Sequence, residues 1–132
     1  MASSEGPHMN VALWVTAGLL AAVFLVIGGI KLARPKDQLL TNGMEALEPL
    51  PPGLIKFIGA AEVLAAFGLV LPGLLDIAPV LVPLAAVGLL VIMVGAVVTH
   101  ALRREVGPVL RNVVLVALLV LVAWGRFGPY AF

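Results

Sequence analysis

The sequence predicts an all-α integral membrane protein: a bundle of four transmembrane helices with a longer first connection that can carry a short interfacial helix. The first observation is composition, since 62% of the 132 residues are hydrophobic and only 11% are charged, far from the balance of a soluble domain. The second is that four apolar runs each approach the roughly 20 residues that a membrane helix needs. Nothing alternates with a period of two, as strands would.

The four predicted spans are about residues 11–32, 54–71, 79–102 and 109–127. Most prolines, such as Pro51 and Pro72, fall at the ends of these spans, where a missing N–H is harmless. Pro83 alone lies within a span, in the first turns of the third. Residues 1–8 are interpreted as a tag or cloning remnant, because Gly6-Pro7-His8-Met9 resembles a protease-site junction. Residues 9–132 then form one four-helix transmembrane domain.

The first connection, residues 33–53, is too long for a tight helical hairpin. Its apolar residues fall near one helical face, which favours a short interfacial helix: Leu39, Leu40, Met44 and Leu47. Gly43 weakens that interpretation. A plain amphipathic connector is favoured over a regulatory or lid role.

Basic residues cluster beside the first and third connections: Lys31, Arg34, Lys36, Lys56, Arg103, Arg104 and Arg111. The positive-inside rule therefore predicts a multi-pass protein of the cell membrane with both connections cytoplasmic and both termini extracytoplasmic. Trp14, Trp124 and Tyr130 would then form an aromatic belt at the outer interface.

Several function classes find no support in the sequence. The chain has no cysteine, which excludes disulfide exchange, iron–sulfur ligation and thiolate zinc sites within it. No metal site is predicted, and no cofactor is evident. The few basic residues lie beside apolar spans, so no nucleic-acid partner is expected. A Ser-His-Asp arrangement is absent, because the serines, Ser3 and Ser4, lie in the predicted remnant.

Glu62 is the candidate residue that stands out, because it is the single carboxylate within the four spans. It lies roughly 12–14 Å from either end of its span, close to the bilayer midplane. Gly59, Ala65 and Ala66 are its neighbours at helical spacing, and such small residues let another helix approach. Glu62 should therefore face the bundle interior. A proton or ligand site and a structural, neutral carboxylic acid both fit this pattern.

Four further residues are candidates for a ligand or proton site: Lys31, His100, Asn112 and Arg126. With the predicted span ends and ideal helical rise, Lys31 lies about 12 Å below Glu62 along the membrane normal. Snorkelling of Lys31 to the lipid headgroups is therefore favoured over direct pairing with Glu62. His100 ends the third helix and is expected to be an ordinary interfacial histidine. Asn112 and Arg126 lie within roughly 40° of one face of the fourth helix. If this face meets the core, the two side chains approach Glu62 from opposite depths. Alternatively, Asn112 caps the start of the helix and Arg126 snorkels to the interface. Snorkelling is slightly favoured for Arg126, and the sequence does not decide for Asn112.

Six segments in order carry a family resemblance: Gly28-Gly29-Ile30-Lys31-Leu32, Ile58-Gly59-Ala60-Ala61-Glu62, Gly68-Leu69-Val70-Leu71-Pro72, Pro83-Leu84-Ala85-Ala86, Gly95-Ala96-Val97-Val98-Thr99-His100, and Trp124-Gly125-Arg126-Phe127-Gly128-Pro129-Tyr130. Together they resemble the DoxX-like family of small bacterial four-helix membrane proteins, almost end to end from Met9. The resemblance implies a four-helix bundle in the bacterial inner membrane. It points to Lys31, Glu62, His100 and Arg126 as positions that match the family pattern. It also implies an association with thiosulfate:quinone oxidoreductase, redox-stress complexes or receptor assembly.

Three functional hypotheses follow. The favoured one is an accessory or binding subunit that holds a small lipophilic molecule, such as a quinone or a lipid, or a membrane-protein partner, around a polar cluster centred on Glu62. The second is a quinone-linked membrane oxidoreductase component with Glu62 as proton acceptor. The weakest is a small proton-coupled carrier. The expected partners are the lipid bilayer and a membrane protein or further copies of the chain, and a self-contained enzyme is not favoured.

Overall fold

The computed structural model describes residues 6–132, and these contain helices and no strand. The helices are α1 (Gly6–Ala33), α2 (Lys36–Thr41), a 3-10 helix (Glu45–Leu47), α3 (Pro52–Leu75), α4 (Leu81–Leu102) and α5 (Val106–Phe127). Four of them, α1, α3, α4 and α5, are long and apolar enough to cross a membrane. The predicted all-α membrane bundle is therefore confirmed. Residues 1–5 of the predicted remnant lie outside the described residues, and the division at Met9 stays a prediction.

The four long helices pack as a closed ring, in which α1 contacts α3, α3 contacts α4, α4 contacts α5, and α5 contacts α1. One apolar cluster fills its centre, with Phe24, Leu89 and Leu119 fully buried. The outer faces are also apolar: Phe57, Leu64 and Val91 are each about 70% exposed. Water would not favour such a surface, whereas lipid tails solvate it. The bundle is thus built for a bilayer.

The two ends of the bundle differ in composition. At the terminal end, the start of α1 meets the residues after α5, since the Trp14 and Phe132 ring centroids are 5.4 Å apart. The α3–α4 turn, residues 76–80, lies at the same end, because Gly73 packs against the Phe132 ring. At the connection end, Arg103 Nη2 lies 3.9 Å from Glu45 Oε2, which joins the first and last connections. Which end faces the cytoplasm stays a prediction.

Helix α3 continues through Pro72 and ends at Leu75, beyond the predicted end at residue 71. Proline removes one backbone hydrogen bond from a helix interior. The helix nevertheless continues to Asp76, whose left-handed φ of 52° ends it and whose N–H bonds back to the Pro72 carbonyl. Packing of the next turn against Phe132 helps to hold this last part of α3.

The first connection contains the predicted short helix. It is α2, which is six residues long and places Leu39 in a fully buried position. Gly43 follows it with a φ of 96°, a conformation that suits glycine. Lys36 Nζ donates to the Glu48 and Leu50 carbonyls at 2.7 and 2.6 Å, which fixes the extended return to α3.

Candidate functional site: a buried ion pair at the α1–α3 crossing

The candidate site begins with the close approach of two glycines. A Cβ atom added at Gly28 would lie 2.7 Å from the Gly59 carbonyl oxygen and 2.9 Å from Glu62 Cβ. A Cβ atom at Gly59 would lie 2.9 Å from the Gly28 carbonyl oxygen. The backbones of α1 and α3 are therefore almost in contact here, as small residues permit in membrane helices. This crossing places the Glu62 side chain directly against α1.

Lys31 and Glu62 form an ion pair within the crossing. Lys31 Nζ donates to Glu62 Oε1 at 2.7 Å, and the two side chains are 11% and 0% exposed. Glu62 Oε2 is fully buried and has no hydrogen-bond partner among the described residues. A buried pair of this kind is costly to desolvate and needs its remaining lone pairs satisfied. The site thus holds one unused acceptor oxygen in an apolar interior.

The expectation that Lys31 snorkels is wrong, and the reason is the stagger of the helices. The estimate that Lys31 lies about 12 Å below Glu62 assumes that the first two spans end in one plane. In the structure, a Cβ atom at Gly59 would lie 2.9 Å from Lys31 Cβ, so these two residues are level. Glu62 lies three residues further along α3, which is only about 4.5 Å of helix. The lysine side chain spans that distance easily.

Lys56 stabilises the same crossing and was not singled out from the sequence. Its Nζ donates to the carbonyls of Lys31, Leu32 and Arg34 at 2.8, 3.0 and 2.6 Å. The Lys31 and Leu32 carbonyls belong to the last turn of α1 and the Arg34 carbonyl directly follows it, where backbone acceptors lack helical partners. Lys56 lies three residues before Gly59, on the face that meets α1. This spacing is the sequence signal for its role at the crossing, whereas its charge by itself indicates only membrane orientation.

Arg126 is buried at the terminal end and bonded within the bundle, which contradicts the expectation of a side chain that extends freely from the surface. Arg126 is only 5% exposed. Nη1 donates to Asn10 Oδ1 at 2.7 Å and to the Tyr130 carbonyl at 2.9 Å. The guanidinium carbon lies 4.0 Å from the Phe132 ring centroid and 5.6 Å from that of Trp14. These partners hold Arg126 at the terminal end, away from the Lys31–Glu62 pair.

His100 lies at the connection end and pairs with Glu105. The distance from His100 Nδ1 to Glu105 Oε1 is 2.7 Å, and Arg103 Nε donates to the same oxygen at 3.2 Å. The hydrogen bond from His100, and then the Arg103 charge, hold the pKa of the Glu105 carboxyl below its usual range. His100 therefore belongs to a polar cluster at the membrane boundary, separate from Glu62.

Asn112 lies on the inward face of α5 together with Arg126. Asn112 is 6% exposed and Arg126 is 5% exposed, with buried Leu119 between them. The side chain of Asn112 makes no hydrogen bond within residues 6–132. The face that these residues were predicted to share is thus the one that meets the core.

Of the predicted polar cluster, only Lys31 contacts Glu62 in the part of the chain that the structure describes. Two surface depressions lie elsewhere: one of about 180 Å³ at the connection end, lined by Leu40, Glu45, Glu48 and Arg103, and one of about 370 Å³ at the terminal end, lined by His8, Met9, Ala12 and Tyr130. In the part of the chain that the structure describes, no three acidic or histidine side chains form a group that could hold a metal ion. At the Lys31–Glu62 pair itself, the Lys31 side chain keeps 11% exposure and that of Glu62 keeps none.

A family model for the DoxX-like family matches residues 15–122, most of the chain and most of its four long helices. Searches of curated proteins and of solved structures gave no significant match.

Proposed function

The chain belongs to the DoxX-like family and is a multi-pass membrane protein, and from this premise we propose that it is an accessory or binding subunit that holds a small lipophilic molecule at the Lys31–Glu62 pair. The observation that carries the proposal is the buried, unpartnered Oε2 atom of Glu62. A buried polar atom without a partner destabilises the fold, typically by about 1–3 kcal/mol. A ligand that donates a hydrogen bond to Oε2 would remove this cost.

The chemistry of the pair indicates the class of ligand. Glu62 Oε2 is an acceptor, and Lys31 Nζ carries three donors, one of which is used by Glu62 Oε1. A molecule with a hydroxyl donor and a nearby carbonyl or hydroxyl acceptor would satisfy both. The surrounding helices are apolar, so its remaining surface should be lipophilic. A quinol or a related lipid fits this description.

The route to the pair is limited to one side. The Gly28–Gly59 crossing closes the α1–α3 interface, and Glu62 itself has no exposed surface. Lys31 retains 11% exposure of its side chain. A ligand would therefore enter from the bilayer past Lys31. This access supports retention of a ligand more than rapid turnover.

The test compares two ligands and two variants. A short-chain ubiquinol and its dimethyl ether, which has no hydroxyl donor, are titrated into the detergent-solubilised protein and counted by native mass spectrometry. The ubiquinol should bind at least about tenfold more tightly than the ether, because it donates to Oε2. Glu62→Gln should abolish this preference, because the amide oxygen must face the Lys31 donor and the amide nitrogen, which cannot accept a hydrogen bond, then takes the place of Oε2. Glu105→Gln, a matched change at the connection end, should leave it intact.

Equal binding of the two ligands, or an unchanged preference in Glu62→Gln, would reject the proposed site. Co-purification with a membrane-protein partner, unaffected by Glu62→Gln, would instead support a docking role on the outer faces of the bundle. Mass spectrometry reports bound proteins and small molecules in one spectrum, so the two outcomes are distinguishable.

A quinone-linked oxidoreductase component is the second candidate. A quinol hydroxyl bonded to Glu62 Oε2 would be placed to transfer its proton to the carboxylate as the quinol is oxidised. The electrons would need an external acceptor, so the assay supplies a soluble quinone. Turnover that is unchanged in Glu62→Gln would remove this candidate. Proton-coupled transport is weaker, because the fully buried Glu62 has no water-accessible surface.

We also propose that the terminal end is extracytoplasmic. The basic residues at the connection end support this orientation through the positive-inside rule. The chain has no cysteine, so single cysteines can be introduced at the exposed positions Asp37 and Ala131. A membrane-impermeant thiol reagent should label Ala131→Cys in intact cells, and Asp37→Cys only after permeabilisation. The reverse labelling would invert the orientation.

A further inference from the structure

Arg126 is a buried cation that the proposed function leaves without a role. Its two hydrogen bonds go from Nη1 to neutral acceptors, Asn10 Oδ1 and the Tyr130 carbonyl. The ion pairs within residues 6–132 involve Lys31, His100 and Arg103, and none involves Arg126. A charge removed from water without a counter-ion is costly. Among the described residues, no ion pair therefore balances the charge of Arg126.

The geometry shows where an anion would bind. The Phe132 ring lies 4.0 Å from the guanidinium carbon and the Trp14 ring lies 5.6 Å from it, so aromatic rings cover the group. Nη1 is fully engaged, which leaves the Nε–Nη2 edge. Neither of these nitrogens donates a hydrogen bond within residues 6–132, and the residue keeps 5% exposure. This edge is a fork of N–H donors that matches two oxygens of a phosphate or carboxylate.

The depth of Arg126 indicates the source of the anion. Helix α5 has 22 residues, or about 33 Å, close to the roughly 30 Å hydrocarbon thickness of a bilayer. Arg126 is the penultimate residue of α5 and lies beside Trp124 and Phe127, each 50% exposed. Exposed aromatic side chains at a helix end are typical of the headgroup region. Lipid phosphates lie at that level.

We propose that the Nε–Nη2 edge of Arg126 binds the phosphate of a phospholipid headgroup in the leaflet at the terminal end. Asn10 and the Tyr130 carbonyl fix the guanidinium through Nη1, and the Phe132 and Trp14 rings cover it. The bound lipid supplies the missing negative charge. The acyl chains then lie along the outer face of the bundle.

The experiment measures lipid binding to the full chain in detergent by native mass spectrometry. The probes are phosphatidylglycerol and diacylglycerol of the same acyl chains, which differ in the phosphate-bearing headgroup. The wild-type protein should bind phosphatidylglycerol at least about tenfold more tightly than diacylglycerol, the value of one charge-assisted hydrogen bond. Arg126→Lys keeps the charge and loses the fork, so it should reduce this preference severalfold. Arg111→Gln removes an exposed cation from the connection end and should leave it unchanged.

Arg126→Gln should abolish the preference, and Arg126→Lys keeps the proposal testable if that variant does not fold. A preference that survives in both variants, or that falls equally in Arg111→Gln, would overturn the proposal. Inorganic phosphate is titrated separately. Stabilisation of the wild-type protein by phosphate, with no preference for phosphatidylglycerol, would assign the site to a free anion and reject the lipid.

Discussion

Replacing Lys31 with methionine removes the sole hydrogen-bond partner of Glu62 within residues 6–132 while preserving most of the side-chain volume. Glu62 is 0% exposed, so the carboxylate left behind cannot reach water. Breaking a buried ion pair by removing one partner costs about 3–5 kcal/mol. Protonating an ordinary glutamic acid at pH 7 costs about 3.7 kcal/mol, which falls in the same range. The unfolding equilibrium constant should therefore rise roughly 150- to 5,000-fold.

The assay is reversible unfolding in mixed detergent micelles, measured by circular dichroism at pH 7 and pH 5. The folded variant holds a protonated Glu62, whereas the unfolded chain exposes an ionised one. Folding of the variant thus takes up a proton, and its stability should increase as the pH falls, by up to about 1.4 kcal/mol per pH unit. The deficit relative to the wild-type protein should therefore be smaller at pH 5.

The double variant Lys31→Met, Glu62→Leu separates the charge from the packing. It should recover most of the loss, since an apolar replacement of a buried ion pair is often neutral or stabilising. A Lys31→Met variant destabilised by less than about 1 kcal/mol, or a double variant less stable than the single one, would refute the conclusion that the pair is buried and closed. A deficit that does not change between pH 7 and pH 5 would show that the carboxylate reaches water.

Three further predictions concern the crossing and the connection end. Gly28→Ala should destabilise the fold by about 1–3 kcal/mol in the same unfolding assay, because its Cβ would meet the Gly59 carbonyl at 2.7 Å. Lys56→Met should cost roughly 1–3 kcal/mol, since three carbonyls at the end of α1 lose their donor. Glu105→Gln should remove an acid-dependent part of the stability: the pKa of Glu105 is lowered in the fold, so its contribution is present above the ordinary carboxyl pKa and is lost as the pH falls through the lowered value.

Matched controls exist for the first two of these variants. Gly29→Ala introduces a Cβ into open space and should be neutral or slightly stabilising. Arg111→Met removes an exposed cation that forms no ion pair within residues 6–132 and should change little. If Gly28→Ala and Gly29→Ala behave alike, the close crossing is wrong. If Lys56→Met matches Arg111→Met, the carbonyl cap is not a stabilising contact. An acid unfolding profile that Glu105→Gln leaves unchanged would show that the His100 contact does not form in solution.

Much of the fold was predictable because the bilayer imposes simple rules on a sequence. The features used are local. The four apolar runs predict the helices, the turn residues between them predict where the helices end, and the basic residues at two connections predict the orientation. The inward direction of Glu62 also followed from local information, since Gly59 and Ala66 mark a face that another helix can approach. Helix ends were less predictable. α3 passes through Pro72 because packing against Phe132 adds stabilisation that the proline rule does not include.

The pairing of the polar side chains was decided by tertiary structure. The sequence by itself determined that Glu62 is an acid buried in the membrane with four candidate polar partners: Lys31, His100, Asn112 and Arg126. It could not determine that Lys31 is that partner, because the choice depends on the stagger of α1 against α3, and stagger has no signal in either helix alone. The contact between Gly28 and Gly59 sets it, and brings Lys31 Nζ to 2.7 Å from Glu62 Oε1. The same holds for Arg126, whose partners Asn10 and Phe132 meet it only when the ring of helices closes.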